Sequence, residues 1–224
     1  MSQPAESAAS VPRGTSASFV WTRLGSLLAI VPLGLWTVNH LWDNLSAFTG
    51  KRAWEQAVEE HPHPVAHWAT LIVVLLPLLL HTVWGIGRLR SSSANVARYA
   101  TYGNLKYVLQ RVTAVGVLFF LGAHLWLAML QPRLFEGRPE PFEEISREMR
   151  FHTPTLLVYL LGTLGVAFHL GNGLTSFAWT WGIASGRKSL ARVDRLALAT
   201  FLALLAFAWG TIYALYEAGG AFGP

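Results

Sequence analysis

Four histidines recur along the chain at nearly constant intervals, and each lies in an apolar stretch long enough to cross a membrane. They are His40, His81, His124 and His169, separated by 41, 43 and 45 residues. An ionisable side chain within a membrane span is costly and usually faces the protein interior or a cofactor. Because imidazole ligates iron and a helix bundle can enclose a haem, the pattern predicts two bis-histidine haems. The alternative for each histidine is a buried side chain hydrogen-bonded to a neighbouring helix.

The composition indicates that most of the chain lies in lipid. Of the 224 residues, 53% are hydrophobic and only 13% are charged, whereas soluble domains are usually about 25% charged. The sequence contains no cysteine. A disulfide framework, an iron–sulfur cluster and a Cys-ligated metal are therefore excluded within this polypeptide.

Five apolar segments predict an all-α integral membrane protein with five transmembrane helices. Each is close to the ~20 residues that a helix needs to cross ~30 Å of hydrocarbon. We expect the first four to form the haem-binding bundle, and the fifth, which has no histidine, to pack outside it. The predicted segments are about 22–43, 66–87, 109–130, 154–179 and 196–216.

The basic residues are distributed unevenly between the two ends of these segments. One face, which includes the N-terminus and the connections 88–111 and 187–195, carries eleven Lys and Arg residues, and the other carries six. The positive-inside rule therefore places the N-terminus in the cytoplasm and the C-terminus outside. Topology accounts for the net charge of +5, so no nucleic acid is expected as a partner. Docking of a cytoplasmic protein is a second explanation for the basic face.

The remaining residues predict tails and surface helices. Residues 1–18 are rich in Ser, Ala and Pro and predict a disordered cytoplasmic tail. The five-span domain then covers 19–217, and 218–224 form an outer-face tail. KRAWEQAVEE after Gly50 and EPFEEISREMR after Pro139 mix apolar and charged residues at helical spacing, which predicts short helices at the membrane surface.

The direction of each span and its rise of 1.5 Å per residue give every histidine a depth. His40 and His124 fall in the outer half of the membrane, whereas His81 and His169 fall in the inner half. Each level receives one histidine from each of two spans. The sequence therefore predicts an outer pair and an inner pair.

Small residues near the histidines are compatible with two kinds of packing. Gly162, Gly165 and Gly173 lie on the same helical face as His169. They could leave room for a flat macrocycle, or they could allow two helices to pack closely, as is common in membranes. Pro77, four residues before His81, is predicted to bend its helix.

Three segments carry a resemblance to a known family. They are RLGSLLAIVPLGLWTVNH, the Gln110-Arg111 start of the third span leading to AHLW, and FHLGNGLTSFAWTWGI around His169. The chain resembles the diheme cytochrome b membrane-anchor subunit of succinate:quinone oxidoreductases (complex II; succinate dehydrogenase and fumarate reductase). The type of anchor subunit that it resembles has five spans and two haems, and it occurs in succinate:menaquinone reductases and quinol:fumarate reductases. The resemblance covers about residues 20–217.

The resemblance implies a complete electron path. It assigns the outer (distal) haem b to His40 and His124, and the inner (proximal) haem b to His81 and His169. A flavoprotein with FAD and an iron–sulfur subunit would dock on the cytoplasmic face of a bacterial inner membrane. Electrons from succinate would then reach menaquinone through the two haems. Dicarboxylate catalysis would lie in a partner subunit.

The resemblance also suggests residues that contact the haem propionates and the quinone. Arg23 and Ser26 resemble the propionate-contacting stretch of the family, and Tyr107 and Arg111 begin the third span at the same level; the alternative for the arginines is a general interfacial role. For the quinone, the family implies a glutamate between the first two spans. Several acids compete for this role, and we expect Glu59 and Glu60 to protonate quinone, with solvated surface charge as their alternative role. The remaining candidates there are Glu55, His61 and His63. The default expectation for His61, His63, His67 and His152 is a surface or interfacial role, and His61 and His63 in EEHPHP could instead bind a metal.

The chain departs from part of the family at one position. Fumarate reductases that couple electron transfer to proton movement carry a glutamate two residues before the fourth haem histidine. That position is Ala167 in this sequence. The sequence therefore does not support this proton path, and it favours succinate oxidation.

Other functional classes remain alternatives at this point. A diheme cytochrome b that anchors a hydrogenase or formate dehydrogenase usually has four spans, and the ascorbate-type cytochrome b usually has six. A haem-free transporter or assembly protein is a further class, but the spans lack the paired broken helices of a transporter. An absorbance spectrum and copurification of an FAD-bearing subunit would distinguish these classes.

Overall fold

The computed structural model describes residues 16–58, 68–91, 93 and 96–223, and these residues contain helices and no strands. Five helices are long and apolar enough to cross a membrane, so the predicted fold class is confirmed. The first helix begins at Ser16, whereas the rest of the predicted tail, residues 1–15, lies outside the described residues. The five spans are Phe19–Thr49, Trp68–Arg90, Tyr102–Glu136, Thr153–Thr180 and Arg187–Gly219.

The helices are longer than the apolar segments that predicted them, and glycines end two of them. The first span continues through a 3₁₀ turn, Leu45–Thr49, and ends at Gly50 with φ of 107°. The third ends at Gly137 with φ of 69°. Glycine tolerates this left-handed region without the steric cost of a Cβ atom, so it terminates a helix that apolar composition alone would not delimit.

Prolines interrupt the regular hydrogen bonding of three spans. Pro32 lies within the π-helical turn Ala29–Gly34, and Pro77 follows the π-helical turn Leu71–Leu75. In the third span, Pro132 begins the last π-helical turn, Pro132–Glu136. Proline lacks the N–H that an α-helix needs, and wider turns accommodate this loss.

Two short helices lie between spans, as the sequence predicts. They are Lys51–Val58 and Phe142–Phe151, and we call them the first and second surface helices. Both contribute to a hydrophobic cluster with the end of the fifth span. Its buried residues are Ala47, Trp54, Phe142, Ile145, Met149, Ile212, Ala214 and Leu215. This cluster joins the N- and C-terminal spans at one end of the bundle.

The fifth span packs on the fourth span and on the second surface helix, and its apolar window is the best buried of the five. It packs against the fourth span, where the Trp209 indole donates to the Leu160 carbonyl at 3.3 Å. Gly219 lies so close to Ser146 that a Cβ atom would overlap the Ser146 carbonyl. In its most apolar window 28% of the residues are buried, against 6–17% in the other four spans. The fifth helix therefore joins the fourth span to the second surface helix at one end of the bundle.

Candidate functional site

The four histidines of the spans meet as two pairs. The ring centroids of His40 and His124 are 6.0 Å apart, and those of His81 and His169 are 6.4 Å apart. The planes of the two rings are inclined at 64° in the first pair and 69° in the second. These are the pairs that the depth argument predicted, and we call them the outer pair and the inner pair.

The spacing within each pair would allow its two imidazole rings to hold one metal ion between them. Metal–nitrogen bonds of about 2 Å on opposite sides of one ion place the centres of two imidazole rings about 6 Å apart. Both observed separations match this value. No described group of three or more His, Cys, Asp or Glu residues could hold a metal ion. Each pair would therefore supply two imidazole ligands, a donor set that fits a haem iron better than an ion held by protein alone.

Three of the four rings have a polar partner at Nδ1. The Nδ1 atom of His81 lies 3.0 Å from the Gly25 carbonyl oxygen, and that of His124 lies 3.1 Å from the Tyr159 hydroxyl. His169 Nδ1 lies 3.5 Å from the Thr113 hydroxyl. A carbonyl can only accept, so His81 donates through Nδ1 and keeps the lone pair of Nε2 for a metal. This arrangement is typical of metal-ligating histidines.

Two candidate propionate contacts, Arg23 and Ser26, are bonded to the end of the fourth span. The Arg23 guanidinium donates to the Thr180 carbonyl at 3.1 Å and lies over the Phe19 ring. The Ser26 hydroxyl accepts from the Trp181 indole at 3.0 Å and donates to the Arg23 carbonyl. Both residues therefore fasten the first span to the fourth at the inner-pair end of the bundle.

The other two candidates, Tyr107 and Arg111, lie together on the third span. The Arg111 guanidinium stacks on the Tyr107 ring, with its central carbon 3.3 Å from the ring centroid. One of its terminal nitrogens donates to the Tyr107 carbonyl at 3.0 Å. Tyr107 thus holds the arginine side chain against its own helix.

Two buried donors near this end have no hydrogen-bond partner among the residues that the structure describes. They are Nε of Arg111 and the indole Nε1 of Trp84, and the Trp84 ring lies 5.4 Å from the His81 ring. Buried N–H groups are normally satisfied, and carboxylates are strong acceptors for both arginine and indole donors. The residues present therefore fit a group with carboxylate substituents, such as haem.

Comparison with known proteins agrees with this chemistry. Residues 88–211 match the family of succinate dehydrogenase/fumarate reductase transmembrane subunits. Over 188 residues the chain is 31% identical to the succinate dehydrogenase cytochrome b558 subunit of Bacillus subtilis (strain 168), a similarity that covers 83% of this chain and 91% of the relative. The chain belongs to this family. The predicted resemblance is thereby confirmed, and with it the function of a membrane-anchor subunit of succinate dehydrogenase.

Two polar residues to which the sequence analysis gave no role of their own connect the third and fourth spans. The Gln110 amide donates to the His169 carbonyl at 3.0 Å and accepts from the Asn172 amide at 2.7 Å. Asn172 is buried. Two uncharged amides within apolar helices could have indicated this contact, because such side chains form hydrogen bonds between membrane helices.

Tyr159 was also missed. It lies about six residues into an inward-running fourth span, so the depth argument already put it level with His124. A phenol inside an apolar span needs a hydrogen-bond partner. The same argument that paired the histidines could therefore have included it.

The glycines before His169 provide close helix packing. A Cβ atom on Gly162 would overlap the Phe120 ring of the third span, and one on Gly165 would lie 3.5 Å from Val117. Of the two possibilities for these residues, the structure favours contact between helices over room for a macrocycle.

Of the candidates for quinone protonation, Glu55 lies within the described residues. Glu59 and Glu60 lie outside the described residues, as do His61, His63 and His67. Glu55 is on the first surface helix, where its carboxylate is 3.6 Å from the Lys51 ammonium. His152 is exposed beside the second surface helix and hydrogen-bonds to Thr155 at 2.7 Å, in keeping with a surface role.

Proposed function

We propose that this chain binds two haem b groups and anchors a succinate:menaquinone oxidoreductase in a bacterial inner membrane. The observation that carries this proposal is the meeting of four histidines from four spans as two pairs, 6.0 and 6.4 Å apart. Family membership supports the cytochrome and its role in succinate dehydrogenase. It also favours this function over the hydrogenase, formate dehydrogenase and ascorbate-type alternatives.

Each pair would hold one haem iron. His40 and His124 would ligate the outer haem, and His81 and His169 would ligate the inner haem. Bound haem supplies one-electron transfer between the iron–sulfur subunit and quinone. The protein residues position the ligands, and Arg111 offers a positive charge and a free donor near the inner pair.

The flavoprotein and iron–sulfur partners are proposed to dock on the face that contains the N-terminus. This face carries eleven of the seventeen basic residues, which also supports a cytoplasmic orientation. The contacts between spans at its helix ends include the Lys106–Asp194 ion pair at 2.8 Å and the Arg23–Thr180 hydrogen bond. FAD, the iron–sulfur clusters and succinate oxidation belong to the partners in this proposal.

Quinone is proposed to react near the outer pair, beneath the connection between the first two spans. Two protons accompany two electrons onto a quinone, so a titratable group is needed there. Glu59 and Glu60 remain the proposed groups. The pairing of Glu55 with Lys51 and the attachment of Lys51 to Glu143 of the second surface helix support this choice over Glu55.

Purification of the complex from its native membrane tests the proposal. We expect two haem b per copy of this chain, reducible by succinate, together with an FAD-bearing and an iron–sulfur subunit. A chain purified with its partners but with no haem would contradict the cytochrome assignment. Two haems accompanied by a different dehydrogenase would retain the cytochrome and refute the succinate complex.

A further inference from the structure

We infer that the Tyr159 hydroxyl is a positioning group for His124 and lowers the reduction potential of the outer haem. This inference rests on the proposed function, since it concerns a haem held by the outer pair. It assigns to the fourth span, which supplies a ligand only to the inner pair, a second role at the outer level.

Tyr159 and Phe120 together fix the orientation of the His124 ring. The Tyr159 hydroxyl lies 3.1 Å from His124 Nδ1, and the two rings meet edge to face at 82°. The buried Phe120 ring stacks on His124 at 17° and meets Tyr159 at 85°. His124 is therefore held by one polar contact in its plane and one apolar contact on its face.

The tautomer of a ligating imidazole makes the Tyr159 oxygen the acceptor. A neutral imidazole carries one N–H, so a His124 ring that bound iron through Nε2 would carry its hydrogen on Nδ1. The Nδ1–H group would then donate to the Tyr159 hydroxyl oxygen, which lies 3.1 Å from Nδ1.

Among the described residues, no side chain makes a comparably short hydrogen bond to a histidine of the inner pair. His81 donates to a backbone carbonyl, that of Gly25, which no substitution removes. Thr113 lies 3.5 Å from His169, and its hydroxyl already donates to the Leu109 carbonyl at 2.7 Å. Tyr159 is thus the contact whose removal should change one haem and leave the other unchanged.

The sign of the effect follows from ligand basicity. A hydrogen-bond acceptor at Nδ1 makes the imidazole a stronger electron donor through Nε2, and this stabilises ferric iron more than ferrous iron. Loss of the acceptor raises the reduction potential. We expect up to about a tenfold increase in the equilibrium constant for one-electron reduction, which corresponds to about 59 mV.

The test is a spectroscopic redox titration of the complete complex carrying Tyr159→Phe. This substitution keeps the ring that packs on Phe120 and removes only the hydroxyl. The matched control is Tyr213→Phe, the same chemical change on the exposed side chain of a fifth-span tyrosine. We expect the outer haem alone to shift upward in Tyr159→Phe, and neither haem to shift in Tyr213→Phe.

The outcomes separate this inference from the proposed function. Loss of only the outer haem from Tyr159→Phe would also support it, because the variant keeps the packing and lacks the acceptor. Unchanged potentials, equal shifts of both haems or loss of both would overturn it. A shift in Tyr159→Leu without one in Tyr159→Phe would likewise overturn it by identifying ring packing as the cause. Absence of haem from the unmodified complex would instead refute the proposed function.

Discussion

The Nδ1 atom of His81 lies 3.0 Å from the backbone carbonyl oxygen of Gly25. A ligand on the second span is thus oriented by the main chain of the first span. The approach depends on the small size of Gly25, because the Trp84 ring, three residues after His81, occupies the position of the missing side chain. Gly25, His81 and Trp84 form one unit whose geometry is set by contact between two helices.

Gly25→Ala should disturb the inner haem while the outer haem is kept. The new methyl group would overlap the Trp84 ring, and neither the helix backbone nor a packed indole can move freely. Overpacking of this kind costs about 1–3 kcal/mol. We expect lower inner-haem occupancy and a lower thermal unfolding temperature, measured by reduced-minus-oxidised spectra and thermal denaturation.

Gly116→Ala is the matched control for this substitution. Gly116 lies on the third span, and a Cβ atom there would have nothing within 4 Å. The variant should retain both haems. If Gly25→Ala also retained a normal inner haem, the proposed dependence of His81 on Gly25 would be wrong.

Replacement of one histidine should remove the haem that its pair is proposed to bind. His81→Ala or His169→Ala should remove the inner haem and stop electron flow from the partners to quinone. His40→Ala or His124→Ala should remove the outer haem, because each metal loses one of its two protein ligands. Redox titration of each variant identifies the haem that is lost.

His152→Ala provides the control for these variants. His152 is exposed and hydrogen-bonds to Thr155, so its loss should leave both haems in place. Loss of the same haem from His40→Ala and His81→Ala, with the other retained, would refute the pairing.

The pairing of the histidines could be predicted because it depends on quantities that a sequence contains. Span direction and helical rise place two histidines at each level, and the structure brings the same residues together. The rotation of each helix about its axis is not given by these quantities. The partners of Arg23 and Ser26 at the end of the fourth span depend on that rotation, and so does the contact between Gly25 and Trp84.

The contacts that the fifth span makes with the second surface helix could not be predicted, for a related reason. The apolar composition of this span indicates a membrane helix. The surface helix on which it packs is amphipathic, and which of its side chains become buried depends on tertiary contacts. Phe142 and Met149 are almost completely buried against the end of this span. Packing of this kind follows from shape, which the pattern of apolar residues does not specify.

The contact between the two surface helices should contribute stability that depends on pH. The Lys51 ammonium donates a hydrogen bond to Glu143, and this bond holds the pKa of the Glu143 carboxyl below its ordinary value of 4.5. A carboxyl with a lowered pKa in the folded state stabilises the fold above its ordinary pKa. This stabilisation is lost as the pH falls through the lowered value.

Glu143→Gln should therefore unfold slightly more easily than the unmodified protein at pH 7. The effect is small because both side chains are partly exposed. The difference should disappear under acidic conditions, where the native carboxyl is also neutral. Thermal unfolding across this pH range measures it, and a difference that persisted in acid would show that packing, not charge, explains the change.

Simultaneous replacement of Glu59 and Glu60 by glutamine should separate the reaction with quinone from the earlier steps. The proposed quinone site needs a proton donor near the outer face, and glutamine keeps the size of the side chain without a titratable proton. We expect the double variant to retain both haems and succinate-to-dye activity, and to lose most succinate-to-quinone activity. The matched control is Glu55→Gln, which removes a carboxylate already paired with Lys51 and should leave quinone reduction unchanged. Normal quinone reduction in the double variant would exclude both acids and leave His61 and His63 as candidates. A defect in Glu55→Gln alone would instead place the quinone site at the first surface helix.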